Sequence, residues 1–258
     1  MNSFIALDLF DLPLALGLIG CAIALSVWQK LGLASQLIFA AFRALLQLLI
    51  VGYILAFIFA VHNVWAVLAI LAVMLTIAAL VARNRIIKQA KNLLPIVWGS
   101  LLASASFSIG YGILLIIQPE NWYEPQYLIP LAGMVLGNAM NAASLAGERL
   151  VSRLKQNRLE IETYLCLGAT PKIAINNYQR EAIRASLIPT LNQMMVAGLV
   201  SLPGMFTGQV LAGIDPLNAV SYQILILFMI AVSNLIAAIL VTEGVYRQFF
   251  NLDWQLKF

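Results

Sequence analysis

Three stretches of this chain, Leu12 to Trp28, Leu45 to Val61 and Val64 to Val81, contain no Asp, Glu, Lys or Arg at all. Runs of this kind decide which solvent the chain folds in. A helix that crosses the hydrocarbon core of a bilayer needs about 20 mostly apolar residues, and these runs are long enough. Only 10% of the 258 residues are charged, whereas a soluble globular chain carries roughly 25%. Mean hydropathy is +0.92. Core helices of a large soluble protein would need amphipathic helices around them to make a wet surface, and too few are present. Backbone groups in hydrocarbon must bond within their own segment, and no alternating barrel pattern occurs, so helices are the default. The expectation is an all-α, polytopic membrane protein.

About seven spans follow from the apolar runs, near 12–29, 36–61, 63–82, 94–117, 127–149, 190–211 and 217–243 of one transmembrane domain covering 1–258. Gln118-Pro119 should close the fourth span. Asp215-Pro216 reads as an N-cap followed by proline at the first helical position of the seventh. Ser201-Leu-Pro-Gly204 predicts a kink or break near Pro203 in the sixth, because proline removes a ladder bond and glycine adds freedom. Gly204, Gly208 and Leu211-Ala212 offer a small-residue edge to a neighbouring helix.

Basic residues orient the spans. Loops on the cytoplasmic side hold the Lys and Arg excess. With the N-terminus outside and the C-terminus in the cytoplasm, 14 of the 15 basic residues fall inside and none outside. The exception, Arg43, lies within the second span. The outer segments carry Asp8, Asp11, Glu120, Glu124 and Asp215 instead. The sequence pI near 9.2 is therefore an orientation signature and calls for no nucleic acid. No basic n-region precedes the first span, so a cleavable signal peptide is not expected. Cys21 and Cys166 fall on different levels, which argues against a disulfide, and both read as small buried apolar residues. The single histidine, His62, falls at an outer turn.

Between roughly residues 150 and 189 the chain turns polar and helical, unusually long for a connection within such a protein. Ile161, Tyr164, Leu165 and Gly168 recur at i, i+3, i+4 and i+7, a narrow apolar stripe on a helix near 159–168 that also bears Glu160, Glu162 and Thr163. Gly168 ends that helix, and Thr170-Pro171 starts another. Such a helix can dock in the groove of a partner protein or lie on lipid headgroups.

Polar residues at membrane depth are costly, and they mark pathways or helix–helix contacts. Arg43 and Gln47 stand one turn apart on the second span, where Arg43 can also snorkel to the inner headgroups. On the fifth span Met134, Asn138, Asn141, Leu145 and Glu148 fall within roughly 80° of one another at 100° per residue. Amide and carboxylate oxygens suit hard cations, and thioethers softer ones. Pro203 and Met205 join these as candidates for a substrate pathway. The identity of any metal and its ligands stays open. The chain holds no G-x-x-x-x-G-K-[ST], H-E-x-x-H or G-x-S-x-G run, so it is not expected to cradle ATP phosphates or to be an enzyme of those kinds.

Several of these runs resemble a known family. Glu162-Thr163-Tyr164, three residues, then Gly168 is similar to the E-A-A-x-x-x-G motif by which ATP-binding cassette (ABC) permeases contact their ATPase, with Thr-Tyr standing for Ala-Ala. The motif's later I-x-L-P comes late, as Leu187-Ile188-Pro189. Leu165-Cys-Leu-Gly-Ala-Thr-Pro171, Arg184-Ala-Ser-Leu-Ile-Pro-Thr-Leu-Asn192 and Gly198-Leu-Val-Ser-Leu-Pro-Gly-Met-Phe-Thr-Gly208 resemble the FetB-type iron-export permeases, which are related to plant aluminium-tolerance proteins. Arg43-Ala-Leu-Leu-Gln47 and Gly137-Asn-Ala-Met-Asn141 fit the same family. The resemblance implies a homodimeric permease of the cell (inner or plasma) membrane that binds no cofactor itself. ATP and Mg would bind a separate cytoplasmic ATPase subunit. Ile161, Glu162, Tyr164, Leu165 and Gly168 would be the coupling residues. Two other readings stand beside it: a secondary transporter or channel driven by an ion gradient, and an ABC permease for an organic substrate such as a nucleotide sugar.

Overall fold

The structure, a computed structural model, describes residues 11–61, 63–88, 91–251 and 254–256. His62 and its expected outer turn lie outside the described residues, as do Asp8 and Lys257. Nine α-helices carry the described chain, and no named strand occurs among these residues; there are two isolated bridges. The chain divides into two compact units, residues 1–63 with 211–213, and residues 64–210 with 214–258.

The first unit contains α1 (Asp11–Trp28) and α2 (Ala34–Val61), packed on each other. α1 ends where Lys30 takes a left-handed conformation, φ 53°. The Leu31 amide then bonds the Ser26 carbonyl at 2.9 Å, and the Lys30 amide bonds Val27 at 3.0 Å. Two orphan carbonyls are thereby satisfied without a glycine.

The second unit is built around α5 (Pro125–Gln156), which packs against α3 (Val64–Ile86), α4 (Leu94–Tyr111), α7 (Pro171–Val196) and α9 (Pro216–Gln248). Leu128, Ala132, Val135, Ala139, Ala142, Ala146 and Leu150 are buried at intervals of three or four, so one stripe of α5 faces its neighbours. Four of the seven are alanine, which lets backbones approach closely where no hydrophobic effect drives helices together. Gly147 marks the tightest glycine of α5: a Cβ there would stand 2.6 Å from the Ile86 Cδ1 of α3. α4 runs into a π-helical segment, Gly112–Ile117, that Gln118 closes in the left-handed region at φ 46°, just before Pro119. The Ser108 hydroxyl donates to the Met229 carbonyl at 2.8 Å, tying α4 to α9.

Five helices are long and apolar enough to cross a membrane, over Ala34–Ala56, Val64–Ile86, Leu94–Ile117, Pro125–Gln156 and Pro216–Gln248, with a shorter apolar stretch at Leu16–Trp28. The predicted sixth span, 190–211, is corrected: it is not one helix. α7 ends at Val196, and Ala197–Pro203 forms an irregular loop in which Gly198 has φ +81°. The chain re-enters a helix as α8 (Gly204–Leu211). The Gly198 amide bonds the Ser201 carbonyl at 2.9 Å, so the loop satisfies part of its own backbone. The expected break near Pro203 is present and wider than a kink. Gly204 and Gly208 meet nothing within 4 Å among the described residues. As expected, Asp215 caps α9, its carboxylate accepting from the Leu217 and Asn218 amides at 3.0 and 3.2 Å.

Candidate functional site

The polar segment 150–189 is helical throughout apart from two turns. α5 continues past the apolar zone to Gln156, Asn157 breaks it at φ −110°, and α6 (Arg158–Cys166) starts at once. α6 ends in a Schellman motif. Gly168 has φ +88°, its amide bonds the Leu165 carbonyl at 3.0 Å, and the Ala169 amide bonds Tyr164 at 3.0 Å. The glycine sits where a left-handed residue is needed. Thr170 then caps α7, its hydroxyl accepting from the Ile173 amide at 3.4 Å.

This short helix is pinned from inside. Ile161 is 0% exposed and belongs to the core formed with α5 and α7, and Leu165 packs against that core. The Tyr178 hydroxyl of α7 donates to the Glu160 carboxylate at 2.7 Å. Burial, then the bond to Glu160, pushes the Tyr178 pKa up to about 12. One turn further along α7, Glu181 accepts from Arg153 at 2.6 Å and Arg149 at 3.2 Å on α5. Those guanidiniums, Arg153 first, hold its carboxyl below the usual range. Glu162 pairs with Arg158 along α6 at 2.7 Å.

The outward face is therefore only in part the sequence-derived stripe, of which Tyr164 and Gly168 are exposed. Ile161 and Leu165 point inward, Tyr164 lies at the edge, and Leu159, Thr163, Cys166 and Leu167 form the face away from the core. Leu159 is 81% exposed and Leu167 79%. Sequence reasoning passed over both leucines because it kept the i, i+3, i+4 register of the inward side. Cys21 and Cys166 are both exposed, which corrects the expectation that they are buried: each falls on the uncovered side of its helix.

The candidate pathway residues separate into three places. Arg43 and Gln47 are exposed on α2, in the first unit. Met134, Asn138, Asn141, Leu145 and Glu148 share the side of α5 opposite its buried stripe, half-buried or exposed. Asn138 donates its amide to the Met134 carbonyl at 2.8 Å. Arg85 of α3 donates to the Asn141 side-chain oxygen at 2.8 Å, an interhelical bond that accounts for one polar atom. Pro203 lines a cavity of about 390 Å³ with Met194, Phe206, Gln223 and Leu227. Met205 is half-buried nearby in sequence on α8. Two buried polar features escaped the sequence reading: the Asn234–Thr190 bond of 2.7 Å between α9 and α7, and the Gln223 carbonyl oxygen, buried without a partner among the described residues. Among the described residues no group of three or more His, Cys, Asp or Glu is placed to hold a metal.

The family described as "Uncharacterised protein family (UPF0014)" matches residues 9–250. The chain belongs to the UPF0014 family. It is 61% identical to the UPF0014 membrane protein slr1647 of Synechocystis over 255 residues, covering 99% of this chain and 98% of the relative. It is 38% identical over 249 residues to the "Probable iron export permease protein FetB" of Escherichia coli, covering 95% and 93%. With "Protein ALUMINUM SENSITIVE 3" of Arabidopsis thaliana it shares 34% over 246 residues, 94% of this chain and 88% of that one. No solved structure matches. Together with the long apolar helices, membership makes this UPF0014 protein a multi-pass membrane protein with transport proteins among its relatives. The sequence resemblance to the FetB-type family holds.

Proposed function

We propose that this UPF0014 protein is the permease subunit of an ABC-type exporter in the cell membrane, moving a metal cation, iron foremost, with ATP hydrolysed by a separate cytoplasmic subunit. The supporting observation is α6. Its inner side is locked into the core by Ile161, while Leu159 and Leu167 stand exposed in a segment too polar to enter hydrocarbon. Exposed leucines on a rigid, tightly capped helix suit a groove in a partner. A helix rooted between α5 and α7 can also transmit movement of that partner to the membrane helices.

The uncovered side of α5 supports a homodimer. Asn138 and Asn141 facing lipid would be costly, and a second copy opposite would enclose them, with Glu148 at the end of the same face, as a polar route. Iron as cargo rests on the similarity to the Escherichia coli "Probable iron export permease protein FetB" and on the oxygen donors of that face. The test is to purify the chain with the cassette ATPase from its own organism, reconstitute both in liposomes, and measure ATP hydrolysis with and without ferrous iron. Iron-stimulated hydrolysis accompanied by iron movement across the bilayer is expected. Hydrolysis indifferent to every metal, with no movement, would overturn the substrate assignment.

A further inference from the structure

A cavity of about 490 Å³ opens between α5 and α7, lined by Arg149, Arg180, Glu181, Arg184, Asn177 and the apolar pair Ala185 and Ile188. Three guanidiniums meet one carboxylate there. Glu181 is already shared by Arg149 and Arg153, while Arg180 and Arg184 have no partner among the described residues. These two stand four residues apart on α7, an arrangement of like charges that destabilises a helix unless something neutralises it. An anion would do so, and guanidiniums suit phosphate oxygens.

The depth of the cavity selects among phosphate-bearing ligands. On α7 the last charged residue is Arg184, and Ala185 to Val196 carries none; on α5 no charge occurs from Pro125 to Gly147, and Glu148 and Arg149 come next. Both helices thus change from uncharged to charged at the cavity, which is what the boundary between acyl chains and headgroups looks like in sequence. Its floor is basic, and Ile188, exposed on the next turn of α7, continues it toward the uncharged part of the helix. An amphipathic anion fits both parts. We infer that Arg149, Arg180 and Arg184 form a site for the phosphate of an anionic phospholipid, with Ala185 and Ile188 flanking the start of its acyl chains. The inference needs only the membrane-spanning fold and not the transport reading, and it places a bound lipid beside the segment that carries α6.

Native mass spectrometry of the full chain in detergent tests it, by titration with phosphatidylglycerol or phosphatidylcholine of identical acyl chains at low ionic strength. Two basic side chains near a membrane surface correspond to roughly a thirty-fold preference for the anionic lipid. Arg180→Gln with Arg184→Gln should abolish that preference, and Arg180→Lys with Arg184→Lys should retain most of it. Both pairs are exposed, so an unchanged gel-filtration profile is expected. Arg83→Gln with Lys88→Gln, on the other basic segment, should leave the preference intact. Equal retention of the two lipids by the unmodified chain, or an undiminished preference in the glutamine pair, would overturn the site. Displacement of the lipid by millimolar inorganic phosphate would reassign the cavity to a soluble anion. Loss of ATPase co-purification with lipid preference intact would reassign it to a protein contact.

Discussion

Glu148 is the residue on which the pathway reading rests most heavily. It is exposed at the end of the uncovered α5 face nearer Gln156, and no hydrogen bond or ion pair engages it among the described residues. Asn141 already receives a bond from Arg85, and Asn138 from its own helix is satisfied in part by Met134. Glu148→Gln keeps the shape and removes the charge. It should lower metal-stimulated ATP hydrolysis about tenfold, the order expected when one charged ligand is lost from a cation route, while the chain still inserts and binds the ATPase. An unchanged metal response would return this face to helix packing. The two perturbed groups near α6 respond to pH in opposite senses. Glu181 has a lowered pKa, so its pairing with Arg153 and Arg149 stabilises the fold above the ordinary carboxylate value and is lost as pH falls through the folded value. Thermal unfolding of Glu181→Gln should therefore differ from the unmodified protein at pH 7 and converge with it in acid. Tyr178, raised to about 12, contributes below its ordinary value near 10, and the contribution disappears as pH climbs from there to the folded value. Tyr178→Phe should be insensitive to that alkaline window.

At the scale of elements, α6 separates residues that hold the helix from residues that present it. Ile161→Ala opens a void in a fully buried position, and such truncations cost about 2–4 kcal/mol; it should lower thermal stability in detergent. Leu159→Glu with Leu167→Glu alters two exposed side chains, so it should leave stability nearly unchanged while abolishing co-purification with the ATPase. Normal binding by this pair would leave α6 as a headgroup-surface element. Gly168→Leu forces a side chain into the left-handed region at about 1–2 kcal/mol, frays the end of α6, and should uncouple hydrolysis from transport. These contrasts also show what was legible in the sequence. Caps written by local chemistry, Thr170, Asp215 and Gly168, were readable because each needs only its neighbours. The long spans were readable because apolar length alone makes them. The split of 190–211 was only half readable: Pro203 announced a break, but the looping out of Ala197 to Ser201 depends on Gly198 taking a positive φ. Half of the α6 stripe was misread, because Ile161 and Leu165 satisfy the same periodicity whether they face a partner or the chain's own core. Only the packing of α5 and α7 decides that.

For the whole molecule, the positive charges of the inner segments and their absence outside predict a fixed orientation. Because Cys21 and Cys166 are exposed, both must first be replaced by alanine. In that background Glu120→Cys should react with an impermeant thiol reagent applied to intact cells, and Lys88→Cys should not. The reverse pattern would move α6 away from the cytoplasm and from any ATPase. If α6 seats in that ATPase as proposed, the chain carries its own probe for it. Cys166 lies on the outward side of α6 between Thr163 and Leu167. In a Cys21→Ala protein, alkylation of Cys166 by a small maleimide should be rapid for the permease alone. It should fall at least about tenfold in the purified complex, as expected for a side chain enclosed in a desolvated interface, and recover when the ATPase is stripped away. Equally rapid labelling of Cys166 in an intact complex would contradict the account.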